Sequence, residues 1–315
     1  MRNFERNKKA ILKKLEISEN DFLGKGVESF VYIYGTSKKV VRILKEGGID
    51  YLKSLRKLQE LISRSGISVK TPLITDVGEF NGTIYTLEER IEGQNLSKIF
   101  DSYDNKQKEI VIKDYFDLLT ELTKVDVRNF EFGQIVNTKD KISDDRWPTF
   151  LYKKVKQKTD LVREQLEKDV LNFEGKLGVF SRFMDTKFDS VEKNLVHGDY
   201  FYDNVMANSE PKITGILDFS GWTTVVGDFR LDVCGAIIFL EHSEKFVKYQ
   251  QVLIGVAKQR YGTDIEWFID FYRIYYSLFL SDSYLYLRPL HDWCIKNLND
   301  EHLWMKLVAS KGVTF

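Results

Sequence analysis

Polar residues stand at the ends of two short apolar runs in the stretch LVHGDYFYDNVMANSEPKITGILDFSGW. His197 and Asp199 precede the first run, Asn204 begins it, and Asp218 lies near the end of the second. A polar turn separates the runs, which predicts an antiparallel hairpin folded about Pro211. Because Asn204 and Asp218 are each seven residues from this centre, we expect them to lie almost opposite one another, with Cβ atoms about 5 Å apart.

An amide and a carboxylate placed in this way offer oxygen ligands to a hard cation. Mg²⁺ is bound in this manner when it keeps several waters and needs only one or two protein ligands beside phosphates. Asp199 lies on the loop that enters the hairpin, where it can face the same point without binding the metal. A carboxylate near a nucleotide-bound Mg²⁺ can orient an alcohol and accept its proton. The spacing of Asp199, Asn204 and Asp218 therefore predicts phosphoryl transfer to a hydroxyl group.

The same residues carry a resemblance to a known family. HGDYFYDN, with ILDF fourteen residues later, resembles the catalytic loop and metal-binding Asp of the aminoglycoside phosphotransferases, which are small-molecule relatives of protein kinases. GDFRLDV resembles the GDxxxDL segment of that family, with Phe229 in place of the usual Pro. The resemblance implies that Asp232 braces the catalytic loop and that His197 stabilises the loop rather than acting as a base. It is closest to the hygromycin phosphotransferase subgroup.

The first part of the chain reads as a small β-rich unit. The apolar spacing predicts a helix, two strands joined by a turn at Thr36–Lys38, a second helix that ends near Gly66, and a hairpin turning at Asn81-Gly82. These elements cover residues 5–16, 29–35, 39–45 and 50–64 and the strands around residues 81 and 82. A sheet carrying a helix makes an α+β lobe of about 90 residues.

The remainder of the chain reads as mainly helical. Apolar residues have helical spacing in 107–124, in 150–172 and in most segments after Val233, whereas 132–150 is polar and reads as a loop or lid. Together with the resemblance, this predicts a two-lobed, protein-kinase-like α+β fold. We place the nucleotide-binding lobe at residues 1–91 and the helical lobe, with the catalytic loop and the acceptor site, at residues 92–315.

The resemblance also indicates where phosphates bind. LGKGVESFVY corresponds to a glycine loop whose backbone around Gly24, Gly26 and Ser29 covers the nucleotide phosphates. Kinases use a lysine on the third strand, whereas VVRILK offers Arg42 at the matching place and Lys45 three residues later. Strand alternation puts these two side chains on opposite faces, so only one can point at the cleft, and we favour Arg42.

Two further parts of a nucleotide site follow from the resemblance. TLEERIEG leads from the second hairpin to the helical lobe, and its backbone at Glu89, Arg90 and Ile91 is the expected hinge for the purine of ATP or GTP. Glu60 is the one acidic residue in the apolar-periodic part of the second helix. It is either an ion-pair partner of Arg42 or an ordinary surface charge.

The acceptor is expected to be a small molecule. Only nine residues separate Asp218 from Asp228, which leaves no room for the activation segment of a protein kinase. A hygromycin-like aminoglycoside is the favoured acceptor, and such a cation would need acidic residues near the cleft. The candidates are Asp203, Glu241, Asp270 and Asp282. The alternatives are a metabolic kinase acting on an amino alcohol, a sugar or a macrolide, and a nucleotide-binding pseudoenzyme without catalysis.

Composition narrows the partners. Lys and Arg number 47, and so do Asp and Glu, so the chain has no net charge that would attract nucleic acid or anionic lipid. The longest apolar stretch, around 233–240, is far shorter than the roughly 20 residues that cross a bilayer. The charged start MRNFERNKKAILKKLEI does not read as a secretory signal. We therefore expect a cytoplasmic monomer or homodimer with no nucleic acid or membrane partner.

Overall fold

The computed structural model describes residues 2–26, 29–35, 38–45, 48–188 and 190–309. Val27 and Glu28 of the predicted glycine loop, and Thr36 and Ser37 of the first predicted turn, lie outside the described residues.

An antiparallel sheet forms the first part of the molecule. It contains β1 (Phe22–Lys25), β2 (Ser29–Tyr34), β3 (Lys39–Leu44), β4 (Ile74–Phe80) and β5 (Thr83–Glu89), in the order β1-β2-β3-β5-β4. Helix α1 (Arg2–Lys14) precedes the sheet, and α2 (Ile49–Ser63) connects β3 to β4. The sequence missed β1, which read as part of the glycine loop, because this strand is short and pairs with β2 in an irregular register.

The predicted hairpin at Asn81-Gly82 is confirmed. Both residues have positive φ, 48° and 77°, as the type I′ turn that matches strand twist requires. Apolar side chains cover both faces of the sheet. Ile11 and Leu12 of α1 pack on one face, and Leu52 of α2 packs on the other.

The second part combines short strands with helices. The strands are β6 (Gln94–Asn95), β7 (Phe132–Gln134), β8 (Ser143–Asp144), β9 (Asn194–Val196), β10 (Val205–Ala207), β11 (Ile213–Ile216) and β12 (Val225–Gly227). The helices are α3 (Leu96–Ile99), α4 (Asn105–Asp117), α5 (Leu119–Leu122), α6 (Trp147–Thr159), α7 (Arg163–Asp169), α8 (Phe173–Lys187), α9 (Arg230–Ile238), α10 (Gln250–Tyr261), α11 (Ile265–Phe279), α12 (Arg288–Leu298) and α13 (Glu301–Ala309). The predicted α+β fold, with its antiparallel sheet and helical second part, is confirmed.

Three predicted segments of this part need correction. The helix expected over 107–124 is broken into α4 and α5, and that expected over 150–172 is broken into α6 and α7. The predicted loop 132–150 contains β7 and β8, which join β12 and β9 in a sheet ordered β8-β7-β12-β9. It also contains the start of α6, where Pro148 occupies the first turn, a place that proline favours because its missing N–H is not needed there.

Strands β10 and β11 form the hairpin that carries Asn204 and Asp218, in a register one residue from the prediction. Val205 pairs with Ile216, and an irregularity lies between Met206 and Ala207. The Leu217 N–H consequently donates to the Asn204 carbonyl at 2.7 Å, so Leu217 rather than Asp218 stands opposite Asn204. None of the helices in the described ranges is long and apolar enough to span a membrane.

Candidate active site

A buried carboxylate holds the loop between β9 and β10. Asp232, in the first turn of α9, accepts hydrogen bonds from the backbone N–H groups of His197 at 2.6 Å and Gly198 at 2.8 Å. Burial raises the pKa of Asp232 to about 7, although both hydrogen bonds favour the charged form. The position of the loop therefore depends on this side chain, in the role that the resemblance implied.

We expect Asp232→Asn to lower the free energy of unfolding by about 1–3 kcal/mol. Two buried N–H groups share its carboxylate oxygens, whereas Asn has a single acceptor oxygen, and an unsatisfied buried donor costs about 1–3 kcal/mol. Urea denaturation of the two proteins measures the difference. Unchanged stability, together with unchanged nucleotide turnover, would contradict the bracing role.

His197 occupies the interior of the loop. Its ring is fully buried, Nε2 lies 2.7 Å from the Leu217 carbonyl, and Nδ1 accepts the Asp199 N–H at 3.2 Å. This pattern requires the neutral ring with a proton on Nε2, and burial lowers the pKa of His197. Gly198 follows with a φ of 76°, and any side chain there would collide with the Thr223 carbonyl. Both residues thus fix the shape of the loop that carries Asp199.

Asn204 orients Asp199. Its amide nitrogen donates to the Asp199 carbonyl at 2.8 Å and to the carboxylate Oδ2 at 3.0 Å. The nitrogen is therefore engaged, and the amide oxygen is the group that can face a cation. Burial, together with the charge of Asp218, raises the pKa of Asp199 to about 7.

Asp218 has an unusual backbone conformation at the edge of an interlobe cavity. It is exposed, with a φ of 65° that turns the chain sharply after β11. The cavity beside it is also lined by Ser220, by Arg42 and Glu88 of the sheet, and by Tyr51 of α2. A carboxylate on this wall is open to a ligand that enters between the sheet and the helices.

The oxygen groups near Asp199 suit a Mg²⁺ ion that is shared with phosphates better than a metal ion bound only by protein groups. Among the described residues there is no group of three or more His, Cys, Asp or Glu side chains that could hold a metal ion. Asn204 and Asp218 offer one amide oxygen and one carboxylate, and a magnesium ion that is shared with nucleotide phosphates needs no more.

Arg42 has a partner that the sequence reasoning missed. Its guanidinium contacts both carboxylate oxygens of Glu88 on β5, at 3.0 and 3.3 Å, and the Ser29 hydroxyl at 3.3 Å. Glu88 is buried and also accepts the Thr86 hydroxyl at 2.7 Å. Arg42 pairs with Thr86 across the two strands, so Glu88 is its diagonal neighbour. In the sequence, Glu88 lies two residues after Thr86, the residue opposite Arg42. This spacing could have indicated the pair.

The two other candidates for this region lie elsewhere. Glu60 accepts a hydrogen bond from Arg56 at 3.1 Å on the outside of α2, so it is a surface charge in this structure. Lys45 donates to the Gly26 carbonyl at 2.8 Å. The prediction that only one of these two side chains points at the cleft agrees with this arrangement. Arg42 faces the cavity, and Lys45 contacts the backbone of the predicted glycine loop.

Two of the three predicted hinge residues use their backbone N–H groups within the fold. The Glu89 N–H donates to Leu73 at 3.2 Å, and the Arg90 N–H donates to Lys38 at 3.0 Å, so both serve the fold. For the Ile91 N–H, the described part of the chain provides no backbone acceptor. Among the three predicted hinge residues, Ile91 is therefore the one whose N–H is not used by a described backbone carbonyl.

The four acidic residues predicted for an acceptor site do not converge. Glu241 binds Arg273 and the Trp293 indole, and Asp282 binds Lys158 at 2.6 Å. Asp203 accepts a hydrogen bond from the Ser97 hydroxyl, and Asp270 lies half-buried on α11, where burial raises its pKa. The structure thus places them in separate local contacts.

Comparison with solved structures identifies the fold. A ternary complex of aminoglycoside phosphotransferase APH(4)-Ia with AMP-PNP and hygromycin B is 16% identical over 97% of this chain and 98% of that chain, with a TM-score of 0.69. The streptomycin–ATP complex of APH(2″)-IIa is 16% identical over 92% and 94%, with a TM-score of 0.57. ADP-bound APH(2″)-Ib is 18% identical over 95% and 98%, with a TM-score of 0.58. The fold is that of a kinase-like phosphotransferase.

The family assignment rests on the sequence itself. The family model described as the phosphotransferase enzyme family, APH, matches residues 22–252. This chain belongs to that family and is a phosphotransferase of the small-molecule kinase type. Comparison with curated protein sequences gives no match.

Proposed function

We propose that this protein transfers the γ-phosphoryl group of ATP or GTP to a hydroxyl group of a small molecule, with Asp199 as the reacting carboxylate. In this reaction a bond forms between the acceptor oxygen and the γ-phosphorus, the bond from that phosphorus to the bridging oxygen breaks, and the nucleoside diphosphate leaves. The observation that carries the proposal is the Asp199 carboxylate, which Asn204 orients on a loop that Asp232 holds.

Each residue then has a defined task. Asp199 binds the acceptor hydroxyl, orients it toward the phosphorus and takes its proton. Asn204 and Asp218 would hold Mg²⁺, which when bound supplies positive charge next to the phosphates. Arg42 binds phosphate oxygens while Glu88 fixes the plane of its guanidinium. The backbone of the glycine loop covers the phosphates, and the Ile91 N–H donates to the purine.

The proposal includes a division of the chain into a nucleotide-binding lobe at residues 1–91 and an acceptor lobe at 92–315. One hypothesis for the acceptor is an aminoglycoside antibiotic, because the structural relatives include complexes with hygromycin B and streptomycin. If that hypothesis holds, the biological role is antibiotic resistance. The alternatives remain a metabolic alcohol and, without catalysis, nucleotide binding alone.

Coupled nucleotide turnover by the purified protein tests the function. The assay contains Mg²⁺, ATP or GTP, and a panel of hygromycin B, other aminoglycosides, macrolides, choline and homoserine. Turnover that an acceptor stimulates, and that Asp199→Asn abolishes, would support the proposal. Nucleotide binding without stimulation by any alcohol would favour the non-catalytic alternative.

We expect Glu88→Gln to lower kcat/KM for the nucleotide about tenfold, through a higher KM. Gln preserves the shape of the side chain but removes the charge that orients Arg42, and a loss of about 1.4 kcal/mol corresponds to tenfold. Steady-state kinetics with varied ATP measure the change. Glu60→Gln is the matched control and should behave as wild type, because the Glu60 carboxylate pairs with Arg56 on the surface of α2. Equal kinetics of both variants would refute the positioning role of Glu88.

A further inference from the structure

The turn that begins at Asp218 is a compact hydrogen-bonded unit, and we call residues 218–224 the Asp218 turn. Asp218 has a φ of 65°, a conformation that costs energy in residues other than glycine and persists where neighbouring contacts enforce it. The Ser220 N–H donates to the Thr224 hydroxyl at 3.0 Å, and two further N–H groups of the turn donate to the Ser220 hydroxyl at 3.2 and 3.3 Å. The Thr224 hydroxyl donates to the His197 carbonyl at 3.4 Å, which joins the turn to the loop between β9 and β10.

Gly221 is the residue of this turn that other segments contact most closely. Its carbonyl accepts a hydrogen bond from the buried Gln134 side chain of β7, and its N–H donates to the Tyr51 hydroxyl of α2 at 3.4 Å. A Cβ at this position would lie 2.7 Å from the Tyr51 ring and 2.7 Å from the Thr138 methyl group, so any side chain here would collide with them. The turn is therefore held between α2 and the segment that follows β7.

Tyr51 contacts the turn mainly through its ring. The distance of 3.4 Å between its hydroxyl and the Gly221 nitrogen is long for a hydrogen bond. The ring meets the Trp222 ring edge-on, with centroids 5.2 Å apart and an interplanar angle of 83°, an arrangement that aromatic pairs favour. Trp222 is 50% exposed. The Tyr51 ring thus packs against two consecutive residues of the Asp218 turn.

Helix α2 is fixed at this place by contacts on both sides. Ser54, one turn after Tyr51, accepts the Asn137 N–H at 2.8 Å and donates its hydroxyl to the Tyr51 carbonyl at 3.1 Å. Leu52, the residue next to Tyr51, is buried against the five-stranded sheet. Because α2 belongs to the proposed nucleotide-binding lobe and the turn belongs to the other, Tyr51 makes a contact between the two lobes.

The position of the Asp218 carboxylate depends on the turn. Asp218 is exposed, so contacts of its own side chain do little to fix it, and its backbone decides where the carboxylate lies. Asp218 and Tyr51 line the same interlobe cavity. A group that binds a metal ion has to be held to within about 0.5 Å by the residues around it. Any contact that fixes the turn therefore bears on the geometry of the proposed metal ligand.

We propose that Tyr51 is a positioning residue, whose ring holds the Asp218 turn in the conformation that presents the Asp218 carboxylate to Mg²⁺. This inference rests on the proposed function, which assigns Asp218 to the metal. Tyr51 acts through Gly221 and Trp222 and has no contact with the reacting atoms in this role. The metal site is then complete only while α2 is docked on the helical lobe.

Calorimetric titration of ATP into the whole protein tests the proposal without any acceptor. The ratio of the ATP Kd in EDTA to the ATP Kd in excess Mg²⁺ measures what the metal contributes to nucleotide binding. We expect Tyr51→Leu to lower this ratio about three- to tenfold, the loss that corresponds to one aromatic pair. Tyr51→Phe keeps the ring and should retain the wild-type ratio. The matched control is Tyr152→Leu, because Tyr152 is a 39% exposed tyrosine on α6, and it should also behave as wild type.

Amide hydrogen exchange of the metal-free and nucleotide-free protein gives a second readout. We expect exchange in residues 220–224 to be about three- to tenfold faster in Tyr51→Leu, because the turn opens more often when the ring is absent. Tyr51→Phe and Tyr152→Leu should exchange as wild type does. Wild-type exchange and a wild-type Kd ratio in Tyr51→Leu would overturn the proposal. Equal losses in Tyr51→Phe and Tyr51→Leu would also overturn it, because they would assign the effect to the hydroxyl.

A variant on the other side of the contact guards against a folding defect in Tyr51→Leu. Trp222→Leu changes a half-exposed side chain and should lower the Kd ratio in the same direction. Because both variants remove one contact, the loss in the double variant should be smaller than the product of the two single losses. Single losses that multiply fully, or an unchanged ratio in Trp222→Leu, would refute the contact as the cause.

Asp218→Asn separates failure of this inference from failure of the proposed function. If Asp218→Asn lowers the Kd ratio and coupled turnover while Tyr51→Leu matches wild type in both, the function stands and the role of Tyr51 is refuted. If no acceptor stimulates ADP release but both variants lower the ratio, the proposed transfer fails and the positioning role stands. If Mg²⁺ leaves the ATP Kd of the wild-type protein unchanged, Asp218 does not bind the metal with the nucleotide, and the inference fails with that assignment.

Discussion

We expect Asp199→Asn to lower kcat by about 10²–10⁴-fold, the range that a positioned acid or base contributes. The substitution keeps the size of the side chain and a carbonyl oxygen that can accept from Asn204, which contacts the carboxylate at 3.0 Å. It removes the group that accepts the hydroxyl proton. Coupled turnover with a stimulating acceptor measures the loss, and kcat should fall while the KM for nucleotide changes little.

Two controls make the Asp199 result interpretable. The variant should bind nucleotide and melt cooperatively, because the loop is held by Asp232 through the His197 and Gly198 N–H groups and not by Asp199. Asp126→Asn removes a carboxylate on the protein surface that pairs with Arg128, and it should leave kcat unchanged. A kcat within tenfold of wild type in Asp199→Asn would remove Asp199 from the mechanism.

The second large effect is expected for Asp218→Asn, with a loss of about 10²–10³-fold in kcat, comparable to the removal of one preorganised electrostatic group. Of the two proposed metal ligands, Asp218 is the carboxylate, and Asn204 offers only a neutral oxygen. Removal of its charge weakens the binding of a divalent cation. We therefore also expect the Mg²⁺ concentration at half-maximal turnover to rise.

Titration of Mg²⁺ at saturating nucleotide separates this effect from a change in fold. Partial recovery of Asp218→Asn at high Mg²⁺ would assign the residue to the metal, and Asp199→Asn should show no such recovery. If both variants respond to Mg²⁺ as wild type does, Asp218 is not a metal ligand. Retained thermal stability is expected, because Asp218 is exposed.

Lys154 of α6 makes the stability of the protein depend on pH. Only 6% of its surface is exposed, and burial together with the charge of Lys158 lowers its pKa from 10.5 to about 8. Between these values the unfolded chain binds more protons, so stability attributable to this group rises with pH, and the cost is fully present below about pH 8. That cost is on the order of 3 kcal/mol. In urea denaturation, Lys154→Met should be more stable than wild type near neutral pH, and the difference should vanish above about pH 11.

Several parts of this protein could be predicted from the sequence because they depend on local chemistry. The residues from His197 to Asp218 are close along the chain, so their spacing alone indicated a loop and a hairpin with three oxygen-bearing side chains. The turn at Asn81-Gly82 was predicted correctly, because two adjacent residues suited to positive φ determine such a turn. Strand alternation likewise separated Arg42 from Lys45.

Contacts between distant segments were decided only by the tertiary structure. Glu88 reaches Arg42 from the neighbouring strand. The hairpin turn centres on Glu210 rather than Pro211, and even with the irregularity after Met206 the register leaves Asp218 one residue from its expected place. Lys154 of α6 is buried beside the Phe279 ring of α11, and whether it finds a carboxylate there depends on how the two helices pack. A residue pattern indicates which side chains are available. Their pairing and burial depend on how separate elements pack, and spacing along the chain does not determine that packing.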